Sequence, residues 1–495
     1  MGIVIRQSIK STVWAYLGVF LGAVTTLWLY PHYLTTAQIG LTTGVLLSLA
    51  SILSQLALLG TTNSVYFFSS AVNTHEKYRS SFLGFMIQLA FAGFVGVAII
   101  YFLMQTVFVR WYADRSALFL DYFWYVIPFT FFVVGYNLIE AYTRSQKDIV
   151  FTNFTREVLL RILTIGALFL FALGYISFTV FVIIFVSSYG LILAALLWYN
   201  RTKIYAKVRF NASFTAVAPK ADVLRYGFYN VLAGGAWTIA NSIDSLMLAG
   251  QSVHGLNDAG IYRIAYFICS VVQMPQRTIT QILLPLLAEH WRDNDMDKIE
   301  ALYQKSSLQL LIASGFLVML LVVNLDAFLM QLPPEYQAAK WVVILLCLSK
   351  MIDMATSING EIIQTSRYYR FNLYLILSLL VLTIACNYYF IPKYGILGAA
   401  IATTIANVVF NVVKYGYVYF RFNIQPFTTA TFKALALTLI SGAAVYFIHF
   451  PLHWFIESIV KTGLASALFL LSLYFLNISP EINQLLITAR KKIIP

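Results

Sequence analysis

Two arginines lie within a single apolar run of the chain, and their spacing could give them a shared chemistry. Arg263 and Arg277 are fourteen residues apart in the run 258–288, which is about 21 Å along one face of a helix. Ionisable side chains inside a bilayer are costly and rarely face lipid. Arginine suits phosphate because its planar guanidinium offers paired donors and stays charged. The pair therefore predicts a phosphate-binding site within the membrane.

Further polar residues recur at helical spacing in the same apolar run and in others. Gln273 and Gln281 share the predicted face of the two arginines, and Gln55 belongs to a milder polar stripe in the run 39–60. Arg161 and Lys350 add positive charge from two other runs. The alternative role of such residues is hydrogen bonding between membrane helices. We predict that these five residues bind the same substrate as the arginine pair.

Carboxylate and amide groups form a second set of candidates. Asp244 and Asn241 lie in the sequence "NSIDS", and Asp353 lies in another apolar run. Oxygen ligands suit hard cations, and a buried carboxylate titrates readily. These three residues are candidates for holding a coupling cation or proton. Two alternatives stay open, namely an ion pair of Asp244 with Arg263 and neutralisation of Lys350 by Asp353.

Two similar short motifs occur in the chain, one in each half. "EAYTRSQK" begins at Glu140 and "EIIQTSRY" begins at Glu361, each at the end of a long apolar run. Arg144 and Arg367 follow close by and could pair with the two glutamates. We predict that these four residues form a gate at the cytoplasmic edge, with local helix-end pairing as the alternative.

Other residues repeat at almost the same offset along the chain. Gly174 in "LGYIS" aligns with Gly395 in "KYGIL", and Gly40 in "AQIGL" aligns with Gly260 in "DAGIY". Similarity at one offset, at corresponding helix ends, indicates an internal duplication.

The composition indicates that membrane-spanning helices position the candidate binding and coupling residues. Of the 495 residues, 60% are hydrophobic and 11% charged, whereas soluble proteins are about half apolar and a quarter charged. A spanning helix needs about 20 apolar residues. This predicts an all-α integral membrane protein with fourteen spans, at 11–30, 39–60, 80–104, 118–140, 156–174, 176–199, 223–250, 258–288, 306–330, 339–363, 370–391, 395–420, 430–450 and 459–477. In the eighth span, Pro275 and Pro285 should introduce kinks.

The charge bias of the loops predicts orientation and domains. Lys and Arg concentrate in alternate loops, so that set is cytoplasmic and both termini lie inside. Spans 1–6 should repeat as spans 7–12, and six is even, so the two bundles form a parallel pseudo-two-fold repeat around a cleft. The predicted parts are a first lobe at 1–200, a basic linker at 201–222, a second lobe at 223–421, and two extra spans with a basic tail at 422–495.

Several other classes of function find no support. The net charge of +13 is explained by loop residues that set topology, so no nucleic-acid partner is expected. Cys269, Cys347 and Cys386 lie in apolar runs without metal or redox spacing, and no phosphate-binding G-x-x-x-x-G-K-[ST] run is present. We therefore expect no metal and no bound cofactor, with H⁺ or Na⁺ as the coupling ion.

The chain resembles the multidrug/oligosaccharidyl-lipid/polysaccharide exporter superfamily. The residues that carry the resemblance are "SIKSTVWAYLGVFLGAVTT", the pair "AQIGL" and "AGIYRIAYF", and "NSIDSLMLAG", together with the duplicated six-span unit. Within the superfamily it looks most like the Wzx-type flippases of O-antigen or capsule repeat units, the bacterial polysaccharide biosynthesis proteins.

This resemblance implies a function. A lipid-linked oligosaccharide on undecaprenyl pyrophosphate would move from the inner to the outer leaflet of the bacterial inner membrane by alternating access, for lipopolysaccharide or capsule synthesis. The arginines would neutralise the pyrophosphate while the lipid tail stays in the bilayer. The implied partners are a polysaccharide polymerase and the chain-length machinery.

Three alternatives remain. A cation-coupled multidrug antiporter shares the architecture, but many such proteins use an acidic residue in span 1, which has no charge here. A lipid II flippase would share the anionic substrate and is hardly separable by sequence. A glycosyltransferase or polymerase would need a catalytic cluster on a sizeable outer loop, and the outer stretches are short. We therefore predict a transporter and no enzyme.

Overall fold

A computed structural model of the chain describes residues 2–146, 148–204, 208–211, 213–448, 450–451 and 453–479, apart from the side chains of residues 2–12, 203–204 and 277–278. Throughout these residues the regular structure is helical. A helix satisfies its own backbone hydrogen bonds, which lipid cannot do, so an apolar sequence of this kind folds as helices.

Contacts divide the chain into two compact units, one up to Arg263 and one from Ile264 onwards. The α-helices of the first unit are Gly2–Ala23, Tyr30–Tyr33, Thr36–Ile39, Leu47–Ala57, Thr61–Val72, Glu76–Leu103, Gln105–Tyr112, Ala117–Asp121, Val126–Ser145, Val150–Asn153, Leu160–Ala172, Phe178–Tyr199, Arg201–Ile204, Lys220–Gln251 and the start of Leu256–Ser270. Its π-helical turns are Val24–Leu29, Gly40–Leu46 and Phe154–Leu159, and its 3₁₀ turns are Phe123–Tyr125 and Ser213–Ala216. The second unit contains Met274–Arg292, Met296–Leu329, Ala339–Thr356, Asn359–Thr365, Arg370–Phe422, Thr429–Tyr446 and Trp454–Phe475, with 3₁₀ turns at Val271–Gln273 and Pro334–Ala338.

Nine of the described helices are long and apolar enough to cross a membrane, or ten if the pair Pro334–Thr356 and Asn359–Thr365, bent by 47°, is one span. The predicted all-helical membrane fold is confirmed. Each of the fourteen predicted spans overlaps a described helix, but those at 156–174, 223–250 and 258–288 are too polar or too interrupted to be counted this way. The number fourteen therefore stays a prediction, as do the bounds of the four predicted parts of the chain.

Two glycines at equivalent positions of the repeat break their helices in the same way. Gly174 has a φ of +77° between Leu160–Ala172 and Phe178–Tyr199. Gly395 has a φ of +56° and interrupts Arg370–Phe422, so that spans 11 and 12 are separate helices joined at a kink. Glycine adopts positive φ without the steric cost of a Cβ. The shared conformation supports the predicted duplication.

Equivalent positions of the repeat also touch each other. Thr36 Oγ1 donates a hydrogen bond of 2.7 Å to Asn257 Oδ1, which lies one repeat further along the chain. A Cβ on Gly40 would lie 1.9 Å from the carbonyl oxygen of Leu256, and a Cβ on Gly260 would lie 2.0 Å from that of Thr36. Contacts between equivalent positions arise close to a symmetry axis, which supports a two-fold relation between the segments 36–40 and 256–260 of the first unit.

Candidate functional site

A polar cavity of about 350 Å³ lies within the first unit. It is built from the helices Leu47–Ala57, Val126–Ser145, Phe178–Tyr199 and Lys220–Gln251, the π-helical turn Phe154–Leu159 and the helix that follows that turn. Its polar lining residues are Ser51, Ser54, Gln55, Tyr136, Asn137, Arg156, Glu157, Arg161, Tyr189 and Thr238. The predicted Gln55 and Arg161 therefore share one cavity, and Arg156 joins them.

The π-helical turn explains why two arginines five residues apart line the same cavity. In a regular α-helix, residues five apart point roughly 140° away from each other. The turn Phe154–Leu159 has the wider i→i+5 hydrogen-bonding pattern, which brings such residues towards one side. Sequence analysis relied on spacings of three and four and so missed Arg156. No signal in the sequence marks where a π turn will form.

Arg156 also belongs to an ion cluster with Glu140. Arg156 Nη1 donates a hydrogen bond of 2.6 Å to Oε2 of the glutamate, and Arg144 Nη2 lies 2.9 Å from its other oxygen, Oε1. Arg144 Nη2 also donates to Asn153 Oδ1 at 2.7 Å. Glu140 is 5% exposed. The predicted pairing of Glu140 with Arg144 is thus present as a local i,i+4 pair, and its role as a gate stays a prediction.

Arg161 is incompletely satisfied by the protein. Its Nη2 lies 3.9 Å from Glu157 Oε2, and no described residue accepts a hydrogen bond from its buried Nε. A Cβ on Gly22 of the first helix would lie 2.4 Å from Arg161 Nη1, so this glycine makes room for the guanidinium. The positive charges of Arg144, Arg156 and Arg161 exceed the negative charges of the Glu140 and Glu157 carboxylates by one. One positive charge therefore remains for an anion.

Arg263 and the predicted coupling residues of the first unit lie on neighbouring helices. The cavity residue Tyr189 interacts electrostatically with Arg156, Arg161 and Arg263, so the charge of Arg263 reaches the cavity. Asp244 is buried and accepts a hydrogen bond of 2.7 Å from the hydroxyl of Tyr262, a partner that sequence analysis missed.

Asn241, the other predicted coupling residue of the first unit, directs its side-chain amide towards its own helix. Asn241 Nδ2 donates a hydrogen bond of 2.8 Å to the carbonyl oxygen of Trp237, one turn earlier. The assignment of Asn241 and Asp244 to ion coupling stays a prediction.

The second unit contains a separate charged cluster. Lys414 Nζ lies 3.8 Å from Asp353 Oδ1, and Gln273 Nε2 donates to Asp353 Oδ2 at 3.4 Å. Lys350 Nζ lies 5.4 Å from the ring centroid of Tyr266. Asp353 thus pairs with Lys414, which sequence analysis did not single out, and the described contacts do not join it to Lys350.

The remaining predicted residues are not brought together. Glu361 accepts a hydrogen bond of 3.4 Å from Thr280, and Arg367 lies over the ring of Tyr368, with no ion pair between Glu361 and Arg367 among the described contacts. Gln281 is exposed. The side chain of Arg277 lies outside the described residues.

The single helix face proposed for Arg263 and Arg277 does not follow from the structure. The 3₁₀ turn Val271–Gln273 separates Leu256–Ser270 from Met274–Arg292, so the two arginines lie on different helices. Pro275 lies in the first turn of the second helix and Pro285 lies inside it. The predicted distance of about 21 Å assumed one continuous α-helix from Arg263 to Arg277. Because the 3₁₀ turn interrupts that helix, neither the distance nor the shared face can be read from the residue spacing.

Comparison with solved structures identifies the fold. The chain is similar to the lipid II flippase MurJ in an inward closed conformation, with a TM-score of 0.70, 14% identity, and coverage of 95% of this chain and 99% of that one. It is similar to an inward-facing multidrug resistance MATE transporter of the MOP superfamily, with a TM-score of 0.65, 17% identity, and coverage of 82% and 94%.

A third solved structure is also similar to the chain. It is a MOP superfamily transporter from Pyrococcus furiosus Vc1, for which the reverse polarity of the binding pocket suggests a different function. The TM-score is 0.58 at 17% identity, with coverage of 85% of this chain and 95% of that one. No protein-family model and no curated protein matches the chain. The fold is therefore that of the MurJ and MATE transporters.

Proposed function

We propose that the chain is a flippase for lipid-linked oligosaccharides. It would move undecaprenyl-pyrophosphate-linked repeat units from the inner to the outer leaflet by alternating access, for O-antigen, capsule or exopolysaccharide synthesis. The observation that carries the proposal is the cavity lined by Arg156 and Arg161, with a buried guanidinium donor that no described residue satisfies. Guanidinium groups bind pyrophosphate oxygens through paired, charge-assisted hydrogen bonds.

We assign the other predicted residues to substrate binding, gating and ion coupling. Arg263, Arg277, Lys350, Gln55, Gln273 and Gln281 extend the substrate-binding set. Glu140 with Arg144 and Glu361 with Arg367 act at the cytoplasmic gate, while Asp244, Asn241 and Asp353 hold a coupling proton or Na⁺. The protein would lie in the bacterial inner membrane with both termini cytoplasmic, next to a polysaccharide polymerase and its chain-length machinery, and it would catalyse no chemical step.

A lipid II flippase is the second candidate. The MurJ structure aligns over 95% of this chain, and a lipid II flippase would need the same pyrophosphate site. A multidrug antiporter finds less support, because the cavity carries an excess of positive charge and the described part of the first span, from Val13 to Tyr33, has no carboxylate.

Deletion of the gene separates these candidates. We expect loss of surface polysaccharide with unchanged murein synthesis and unchanged drug tolerance, and recovery when the wild-type gene is supplied in trans. Loss of murein synthesis would instead support the lipid II flippase, and loss of drug tolerance alone would support the antiporter. Surface polysaccharide at wild-type levels in the deletion strain would refute the proposal.

A further inference from the structure

A buried lysine and a half-buried aspartate of the second unit form an ion pair that the substrate cavity does not use. Lys414 lies on helix Arg370–Phe422, roughly 12 Å from its C-terminal end at 1.5 Å per residue, and it is 7% exposed. Asp353 lies on helix Ala339–Thr356, which packs against that helix. Charges inside a membrane protein are expensive and mark ion or proton pathways.

The ammonium of Lys414 is only loosely held. Its 3.8 Å separation from Asp353 Oδ1 exceeds hydrogen-bonding distance. Its other described neighbour is the Phe410 ring, whose centroid lies 4.4 Å from Nζ. An ammonium carries three donors, and no described residue accepts a hydrogen bond from this one. Lys461 offers a contrast, because it is equally buried but lies 2.7 Å from Glu457 Oε1.

Several charged and titratable groups surround the pair. Glu361, on helix Asn359–Thr365, interacts electrostatically with both Lys414 and Asp353. Other titratable groups on the packed helices include Lys350, Tyr266, Tyr303 and Tyr415. Glu361 is thus a nearby carboxylate that could accept a proton from Lys414.

We infer that Lys414 and Asp353 form the proton-exchange site that couples export to a proton gradient, an inference that rests on the proposed function. In the protonated state the ammonium faces Asp353. On release, one N–H bond of Lys414 breaks, its electron pair stays on Nζ, and the proton passes to the Glu361 carboxylate or to cytoplasmic water. The tethered ammonium occupies the position beside Asp353 that free Na⁺ would take, so the coupled ion is H⁺.

Lysine suits this role because it can become neutral inside a protein, whereas arginine stays charged. The substitution Lys414→Arg therefore keeps the positive charge beside Asp353 but removes the exchangeable proton. Lys461→Arg is the matched control, since it changes a lysine of equal burial that is tightly paired with Glu457.

The test is a pH jump applied to full-length protein in liposomes on a solid-supported membrane, at constant Na⁺ and without substrate. We expect a transient current for wild type and for Lys461→Arg, and a current at the level of protein-free liposomes for Lys414→Arg and Asp353→Asn. The last variant decides the question if Lys414→Arg does not reconstitute.

Three results would overturn the inference. They are the absence of the wild-type current, a wild-type current in Lys414→Arg or Asp353→Asn, and a current evoked by a Na⁺ jump at constant pH. Since no lipid substrate is added, failure of the flippase proposal would leave this readout unaffected.

Discussion

Glu140 and Glu361 occupy equivalent positions of the repeat, yet their surroundings differ. Glu140 is held by two guanidiniums at 2.6 and 2.9 Å. The described partner of Glu361 is the Thr280 hydroxyl at 3.4 Å, with Lys414 and Asp353 acting on it electrostatically. The same residue has thus become a counter-ion for arginines in one half and a neighbour of a loosely paired lysine in the other. The comparison indicates that the charged neighbours of the two glutamates have diverged, which agrees with the anion binding proposed for one half and the ion exchange proposed for the other.

The largest expected effect comes from removing the arginine that links Glu140 to the cavity. Arg156→Gln should weaken binding of undecaprenyl pyrophosphate to the purified protein by about 10- to 100-fold, since a charged hydrogen bond contributes about 1.5–3 kcal/mol. Titration calorimetry measures this affinity. Arg292→Gln is the control, because that arginine is exposed and pairs with its neighbour Asp293. Equal affinities of the wild type and Arg156→Gln would contradict the assignment of Arg156 to the substrate.

The two glutamates themselves provide a direct test of the divergence. Glu140→Gln should lower the free energy of unfolding by about 3 kcal/mol, the lower end of the range for breaking a buried ion pair, since both arginines are partly solvated. Glu361→Gln should cost less than about 1 kcal/mol, because an amide oxygen can still accept from Thr280. Thermal unfolding in detergent compares the two variants. Equal losses would show that the two environments are energetically alike.

A smaller effect is expected at the glycine that makes room for Arg161. Gly22→Ala adds a methyl group 2.4 Å from the present position of Nη1, which must move, while the flexible side chain spares the fold. We expect slower export with an unchanged unfolding temperature. Gly166→Ala is the control, because a Cβ there meets no atom within 4 Å. An unfolding temperature lowered as much as in Glu140→Gln would show that Gly22 serves packing instead.

Much of the fold could be predicted from the sequence. Apolar runs long enough to cross lipid leave few alternatives to helices, and the constant offset between the two halves predicted that Gly174 and Gly395 would play the same part. The break at Val271–Gln273 was not predicted. The sequence predicted kinks at Pro275 and Pro285 instead. Pro275, however, lies in the first turn of a helix, where proline is well tolerated.

The site was only partly predictable, for two physical reasons. Arg156 was missed because a π-helical turn changes which residues share a side, and hydrogen-bonding registers of this kind are not visible in residue spacing. Lys414 was missed because its pairing partner, Asp353, lies on a neighbouring helix and not in the same apolar run. Contacts between distant helices depend on packing, which periodicity does not report.

In the proposed function, the arginine-lined cavity carries a pyrophosphate-linked lipid across the membrane. The most direct measurement follows leaflet transfer of undecaprenyl-pyrophosphate-linked oligosaccharide in liposomes, read by the exposure of the sugar to an impermeant glycosidase. We expect transfer by wild type and Arg292→Gln, and transfer at the level of protein-free liposomes by the double variant Arg156→Gln and Arg161→Gln. Transfer by the double variant at the wild-type rate would contradict it.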